Sequence, residues 1–262
     1  MVTNNTIQEK KDNTLVEAMF EVGAHYAYSR SKRHPSMKKF IYGSKNNVEI
    51  INLEKTEQKL LETLNFVSSL AKEGKKLLFV GSKNEARDVI EKEAKRLDAP
   101  YVVTRWIGGT LTNFDEIKKR IKRLQELNEQ KEKGELGKYT KKERLMIDRE
   151  IERLDRNFGG LVSLSEMLPK ALFVIDPQKE IIAITEAKSV GIPIIALASS
   201  DCNLDVVNYA IPANDSSLSS IKFFTEQVVD AYKKGQSQTP TQTPEETKAL
   251  DISKEQNNSL PS

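Results

Sequence analysis

The stretch LFVGSKNEA sets Gly81, Ser82 and Lys83 between an apolar run and the start of a helical pattern. Backbone N–H groups at a helix N-terminus bind phosphate, so this turn has the local form of a phosphate cradle. It carries neither the Walker-type phosphate loop nor the GxGxxG dinucleotide fingerprint, and the plainer reading is a tight strand-to-helix turn at Gly81. A second run, LFVID, ends in Asp176, which would suit a magnesium-orienting acid if a phosphate loop brought a nucleotide to it. Without one, Asp176 before Pro177 reads as a turn and helix-start acceptor. The histidines, His25 and His34, and the single cysteine, Cys202, form no GxSxG or HExxH pattern. His25 falls in what reads as a helical run, VEAMFEVGAHYAY. Asp201 and Asp205 could join it in a hard-metal site, but no spacing fixes that geometry, so no metal and no cofactor are expected.

Binding a polyanion is the chemistry these residue types support better. Residues 29–45, SRSKRHPSMKKFIYGSK, hold Arg30, Lys32, Arg33, Lys38, Lys39 and Lys45 with no acid, beside Tyr28, His34, Phe40 and Tyr42. Cations that neutralise phosphates, with aromatic or planar groups for stacking, are what an RNA surface needs. A solvated basic loop is the bland alternative for this run alone. A second cluster, IKKRIKRL, crowds Lys118, Lys119, Arg120, Lys122 and Arg123 onto one stretch of helix. Just before it stands RWIGGTLTNF, residues 105–114, with the only tryptophan. There Gly108 and Gly109 permit a turn, Asn113 with Glu116 resembles a capping box, and Trp106 is placed to wedge a joint while Arg105 reaches RNA. The candidate RNA-contacting residues are Arg30, Lys32, Arg33, His34, Lys38, Lys39, Arg105, Trp106, Asn113, Lys118, Lys119 and Lys122.

The elements that must position these groups alternate between strand and helix. VEIINL (48–53), KKLLFVGS (75–82), YVVT (101–104), ALFVID (171–176) and IPIIALASS (192–200) read as strands. Amphipathic helical patterns lie between them, and a terminal helix, SLSSIKFFTEQVVDAYKKG, has Gly235 as its expected C-cap. Strands apolar at successive positions are those of a parallel sheet covered on both faces, a doubly wound α/β core. From Asp115 to Phe158 two apolar stripes, Ile117, Ile121, Leu124 and Leu127 then Leu145, Ile151, Leu154 and Phe158, flank the glycine-bearing KGELGK. They predict an inserted antiparallel helical hairpin, a coiled-coil arm. The expected division is a disordered tail at 1–13, a core of 14–114 and 159–234, the hairpin at 115–158, and a disordered tail at 235–262.

With 262 residues, 38% hydrophobic and 30% charged, the chain can bury a core beneath an ionic surface. Its net charge is only +3, from 41 Lys and Arg against 38 Asp and Glu, so distribution and not total charge must speak for nucleic acid. One cysteine allows no internal disulfide, which fits a reducing compartment, and no run reaches the ~20 apolar residues of a membrane span.

Several long motifs in order give the chain a resemblance to the bacterial small-subunit ribosomal protein two family over residues 15–232. EVGAHYAY, HPSMKKFIYG, IINLEKT, LFVGSKNEA, RWIGGTLTNF and PKALFVIDPQKEIIAITEAKSVGIP carry it. The chain departs from the family pattern at Tyr28, where a histidine is usual, and over ASSDCNLDVVNYAIPAND (198–215), which is less acidic than its counterparts. The resemblance implies a flavodoxin-like sheet of about five parallel strands with the arm inserted after the third. It also implies a non-enzymatic structural constituent of the small ribosomal subunit in the cytoplasm. The partners implied are ribosomal RNA and neighbouring subunit proteins, with recruitment of ribosomal protein one; no autonomous homo-oligomer and no membrane are expected. The alternative, a nucleotide-binding enzyme on a Rossmann-like core, rests on the α/β pattern and the GSK turn alone.

Overall fold

The computed structural model describes residues 15–164 and 167–238. The tail expected at 1–13, and all but residues 235–238 of the one expected at 235–262, lie outside the described residues. A short helix α1 (15–21) leads into a three-stranded antiparallel sheet of β1 (Tyr26–Ser29), β2 (Ile41–Lys45) and β3 (Val48–Ile51), in the order β1-β3-β2. The second sheet is parallel: β4 (Leu77–Val80), β5 (Tyr101–Val102), β6 (Ala171–Ile175), β7 (Ile194–Ala198) and β8 (Tyr209–Pro212), in the order β5-β4-β6-β7-β8. The helices joining them are α2 (Leu53–Lys72), α3 (Asn84–Arg96), α4 (Phe114–Glu132), α5 (Lys141–Phe158), α6 (Ile181–Val190) and α7 (Leu218–Ser237). This is a flavodoxin-like doubly wound sheet with an antiparallel appendage. No helix among the described residues is long and apolar enough to cross a membrane.

The continuous apolar strands divide their side chains between two layers. Leu77, Phe79, Phe173, Ile175, Ile195, Leu197 and Ile211 face Leu60 and Val67 of α2, Ile90 of α3, and Phe224 and Val228 of α7. Leu78, Val80, Leu172, Val174 and Ile194 face the opposite way, onto Ile184 and Ala187 of α6 and the apolar stripe of α4. Strand side chains alternate in direction, so a strand covered on both faces must be apolar throughout.

Four expectations need correction. VEIIN does not join the parallel sheet but pairs antiparallel with β1 and β2; YAIP, too short to stand out by its apolar count, supplies the fifth parallel strand. The helical pair therefore follows the second parallel strand in chain order. The run VEAMFEVGAHYAY is not one helix, because Gly23 adopts a φ of 71° and the chain continues as β1. Gly235 is not a C-cap: it lies inside α7 where that helix crosses α2, and a Cβ there would meet Ala71 Cβ at 2.7 Å and collide with the Ser68 carbonyl. Helix α7 thus runs past the boundary expected after residue 234.

Helices α4 and α5 pack against each other, with Arg123 paired to Glu150 at 3.4 Å and Lys131 to Asp148 at 2.7 Å across the pair. Ile117, Ile121, Leu124, Leu127, Leu154 and Phe158 merge with the cluster under the sheet, so the pair is rooted in the core. Leu145, expected on that stripe, is 51% exposed, since it lies well round the helix from Leu154 and Phe158.

Candidate nucleic-acid interface

The basic segment 29–45 is held at the carboxyl end of the parallel sheet. Met37, Phe40 and Ile51 pack on Ala198, Cys202 and Leu204. Tyr28 N–H donates to Ser200 Oγ at 3.1 Å, and His34 N–H to the Ser200 carbonyl at 2.8 Å. These anchors turn Arg30, Lys32, Lys38 and Lys39 outward, all four exposed. The Lys32 ammonium lies 5.3 Å from the centre of the Tyr28 ring, and that of Lys39 5.2 Å from the Phe40 ring. Arg33 and His34 are tied inward. Arg33 Nη1 donates to Glu49 Oε1 at 2.8 Å, and Glu49 is 1% exposed. His34 Nδ1 accepts from the Ser36 N–H at 3.3 Å, capping the 3-10 turn Pro35–Phe40.

RWIGGTLTNF is organised by a residue outside it. Glu186, on the buried side of α6, accepts from Trp106 Nε1 at 3.2 Å, Gly109 N at 2.7 Å, Leu111 N at 2.9 Å and Thr112 N at 3.4 Å. Trp106 is 4% exposed and its one donor is taken, so it offers RNA neither a stacking face nor a hydrogen bond. Of the glycine pair, only Gly109, at φ 90°, needs to lack a side chain. Asn113 is the N-cap of α4 but its side chain makes no capping bond, and Glu116 pairs with Lys119 instead; the reciprocal capping box stands at Thr140 and Glu143 of α5. Arg105 is exposed beyond the end of β5.

On α4, Lys118 lies 5.0 Å from the Phe114 ring centre and 3.8 Å from Asp115, Lys119 pairs with Glu116 at 2.5 Å, and Lys122 is exposed. The structure thus gathers two basic surfaces, one on the 29–45 segment and one opening α4. The two sit on different core clusters.

The crevice beyond the carboxyl ends of the strands is where such a sheet binds a nucleotide. Here the protein's own side chains fill it. Glu180, 3% exposed, accepts the Ser82 N–H at 2.9 Å and also the Ser82 hydroxyl, and the Gly81 N–H donates to the Val102 carbonyl at 2.9 Å, so the Gly81 and Ser82 donors of the turn are satisfied internally. Lys83 Nζ lies 3.1 Å from Asp215 Oδ1, 3.3 Å from Asp176 Oδ2, 3.4 Å from the Tyr28 hydroxyl and 3.2 Å from Ser216 Oγ. Although burial works against its charge, the Asp215 and Asp176 carboxylates hold this ammonium above its ordinary range. Burial pushes Asp215 up to about 6 and pushes the Cys202 thiol upward. Asp176, Cys202 and Asp215 lie close enough to share a metal ion, and this group includes neither His25 nor Asp205. Two of its three members already face the Lys83 ammonium. Asp176 has a φ of 62°, and its Oδ1 accepts the Lys179 N–H at 3.2 Å, the turn-acceptor role its place before Pro177 suggests.

Reasoning from the sequence passes over Glu186, Glu180 and Glu49. The available signal was for Glu186 alone, an acid at the buried register of α6 between Ala183, Ile184 and Ala187.

The family model for ribosomal protein S2 matches residues 19–235. The chain belongs to the ribosomal protein S2 family. It is 42% identical over 220 residues to the small ribosomal subunit protein uS2 of Roseiflexus castenholzii, covering 84% of this chain and 83% of that one. It is 40% identical over 216 residues to uS2 of Borrelia hermsii, covering 82% of this chain and 85% of the relative. The family gives no support to a nucleotide-dependent enzyme, and the plugged GSK turn supplies the physical reason.

Proposed function

We propose that the chain binds ribosomal RNA through its exposed cations as a structural, non-catalytic constituent of the small ribosomal subunit, supporting translation in the cytoplasm. Membership of the S2 family over nearly the whole described chain carries this reading. Arg30, Lys32, Lys38 and Lys39 on one surface, and Arg105, Lys118, Lys119 and Lys122 on the other, neutralise phosphates and set the register of the protein without reading bases. Arg33, His34 and Trp106 hold these surfaces in place, and Asn113 stands exposed at the start of α4. Tagged full-length chain run on a sucrose gradient is expected to sediment with small subunits and to leave them as salt rises. Protein remaining at the top of the gradient rejects the reading.

Neighbouring subunit proteins are the second class of partner, and recruitment of ribosomal protein one belongs to the same reading. An apolar cleft of about 220 Å³ bordered by Val16, Phe20, His25, Tyr42 and Ile50 favours it. Phe20 and Tyr42, 60% and 80% exposed, border this one cleft together and so offer a contiguous apolar patch of the kind a protein partner covers. Subunits carrying Phe20→Ala/Tyr42→Ala are expected to keep this chain and lose ribosomal protein one; normal levels of both reject the assignment.

A further inference from the structure

We propose that the outer face of α5 is a further RNA-backbone surface, and the main one on the α4–α5 pair; this rests on the RNA-binding reading above. Lys142, Arg149, Arg153 and Arg156 are all exposed. They recur at intervals of 7, 4 and 3 residues, so at about 100° per residue they share a sector roughly 60° wide along about 21 Å of helix. Leu154 and Phe158, which bury α5 against α4, lie on the opposite side.

What sets this stripe apart is where the acids go. Asp148 and Glu150 flank it but reach across to Lys131 and Arg123 of α4. Glu143 is taken up by the Thr140 cap. Among the described residues, no ion pair joins a carboxylate to Lys142, Arg149, Arg153 or Arg156. On α4 three of the five cations of IKKRIKRL are neutralised, Lys118 and Lys119 by Asp115 and Glu116 and Arg123 by Glu150, which leaves Arg120 and Lys122. The larger set of cations outside ion pairs thus lies on α5, bordered by the exposed Glu152 one turn from Arg149 and Arg156, although IKKRIKRL is the denser run in the sequence. A straight line of like charge fits a linear polyanion better than a compact acidic patch, and three of its four members are arginines, whose planar forks take phosphate oxygens in pairs.

The test measures binding of the full chain to small-subunit ribosomal RNA over a range of salt. Arg149→Gln/Arg153→Gln/Arg156→Gln is expected to lower the slope of log affinity against log salt by roughly 2–3, at about 0.7–0.9 for each phosphate no longer neutralised. Affinity at low salt falls by roughly tenfold or more, while far-UV circular dichroism and melting temperature stay at wild-type values. The triple Arg→Lys variant keeps the slope, and Lys118→Gln/Lys119→Gln lowers it less than the glutamine triple does. Wild-type slope and affinity in the glutamine triple overturn this inference and leave the RNA-binding reading standing. Wild-type chain with no affinity for the RNA overturns both. Loss of a co-purifying protein from the triple at unchanged RNA slope also overturns it, assigning the face to an acidic protein.

Discussion

The carboxylate of Glu186 accepts the indole N–H of Trp106 at 3.2 Å while also receiving the backbone N–H groups of Gly109 and Leu111. One buried acid on α6 thereby fixes the loop that launches α4, and with it the direction in which the basic helix leaves the core.

Glu186→Gln is expected to destabilise the fold by about 2–4 kcal/mol, because a charged acceptor shared by several donors is replaced by a neutral amide with one acceptor oxygen. Trp106→Ala should expose residues 114–158 to limited proteolysis and impair subunit assembly. Denaturant midpoints and cleavage rates check both; wild-type protection in Trp106→Ala would sink this account of the joint.

Arg33→Ala leaves Glu49, 1% exposed, without its ion-pair partner. A loss of about 3–5 kcal/mol is expected in chemical denaturation. Arg33→Ala/Glu49→Gln should recover part of it, whereas a purely RNA-contacting arginine would leave stability unchanged.

Asp215 titrates at about 6 in the folded chain because burial disfavours its charge. An unfolded aspartate loses its proton near 3.9, so between about pH 4 and 6 the folded state holds the extra proton. Stability attributable to this group is therefore greatest below about pH 4 and declines as pH rises to 6. His25, whose pKa is lowered by burial, works in the opposite sense, losing stability as pH falls below its unfolded value. Comparing wild type with Asp215→Asn isolates the aspartate. The variant is expected to lack a decline on the order of 1–3 kcal/mol in urea-melt stability from about pH 4 to 6, and parallel curves would contradict it.

Gly235→Leu places a branched side chain against Ser68 and Ala71 at the α2–α7 crossing. A drop of about 1–3 kcal/mol or more, seen as an earlier thermal transition, is expected from overpacking. Gly137→Leu, at a position with open space around its Cβ, should be nearly neutral.

The apolar runs of β4, β6 and β7 carried the doubly wound architecture in their composition alone, because burial on both faces requires an apolar residue at every position. The helical spacing of α4 and the acid-free charge of residues 29–45 were legible for the same kind of reason: a local period or local composition encodes them. Which strand joined which sheet was not set by composition. VEII and YAIP have similar length, but VEII folds back on the neighbouring β2 through the two-residue Asn46–Asn47 turn, whereas YAIP reaches the parallel edge only by docking beside β7 after a crossover. The site divided in the same way. Residue types showed where cations were dense, but whether a cation was free depended on carboxylates brought from elsewhere: Glu49 to Arg33, Glu150 to Arg123, and Asp176 and Asp215 to Lys83. Charge is a property of the sequence, whereas neutralisation is a matter of distances of a few ångströms, which helix geometry sets for neighbours such as Lys119 and Glu116 and tertiary packing sets for the rest.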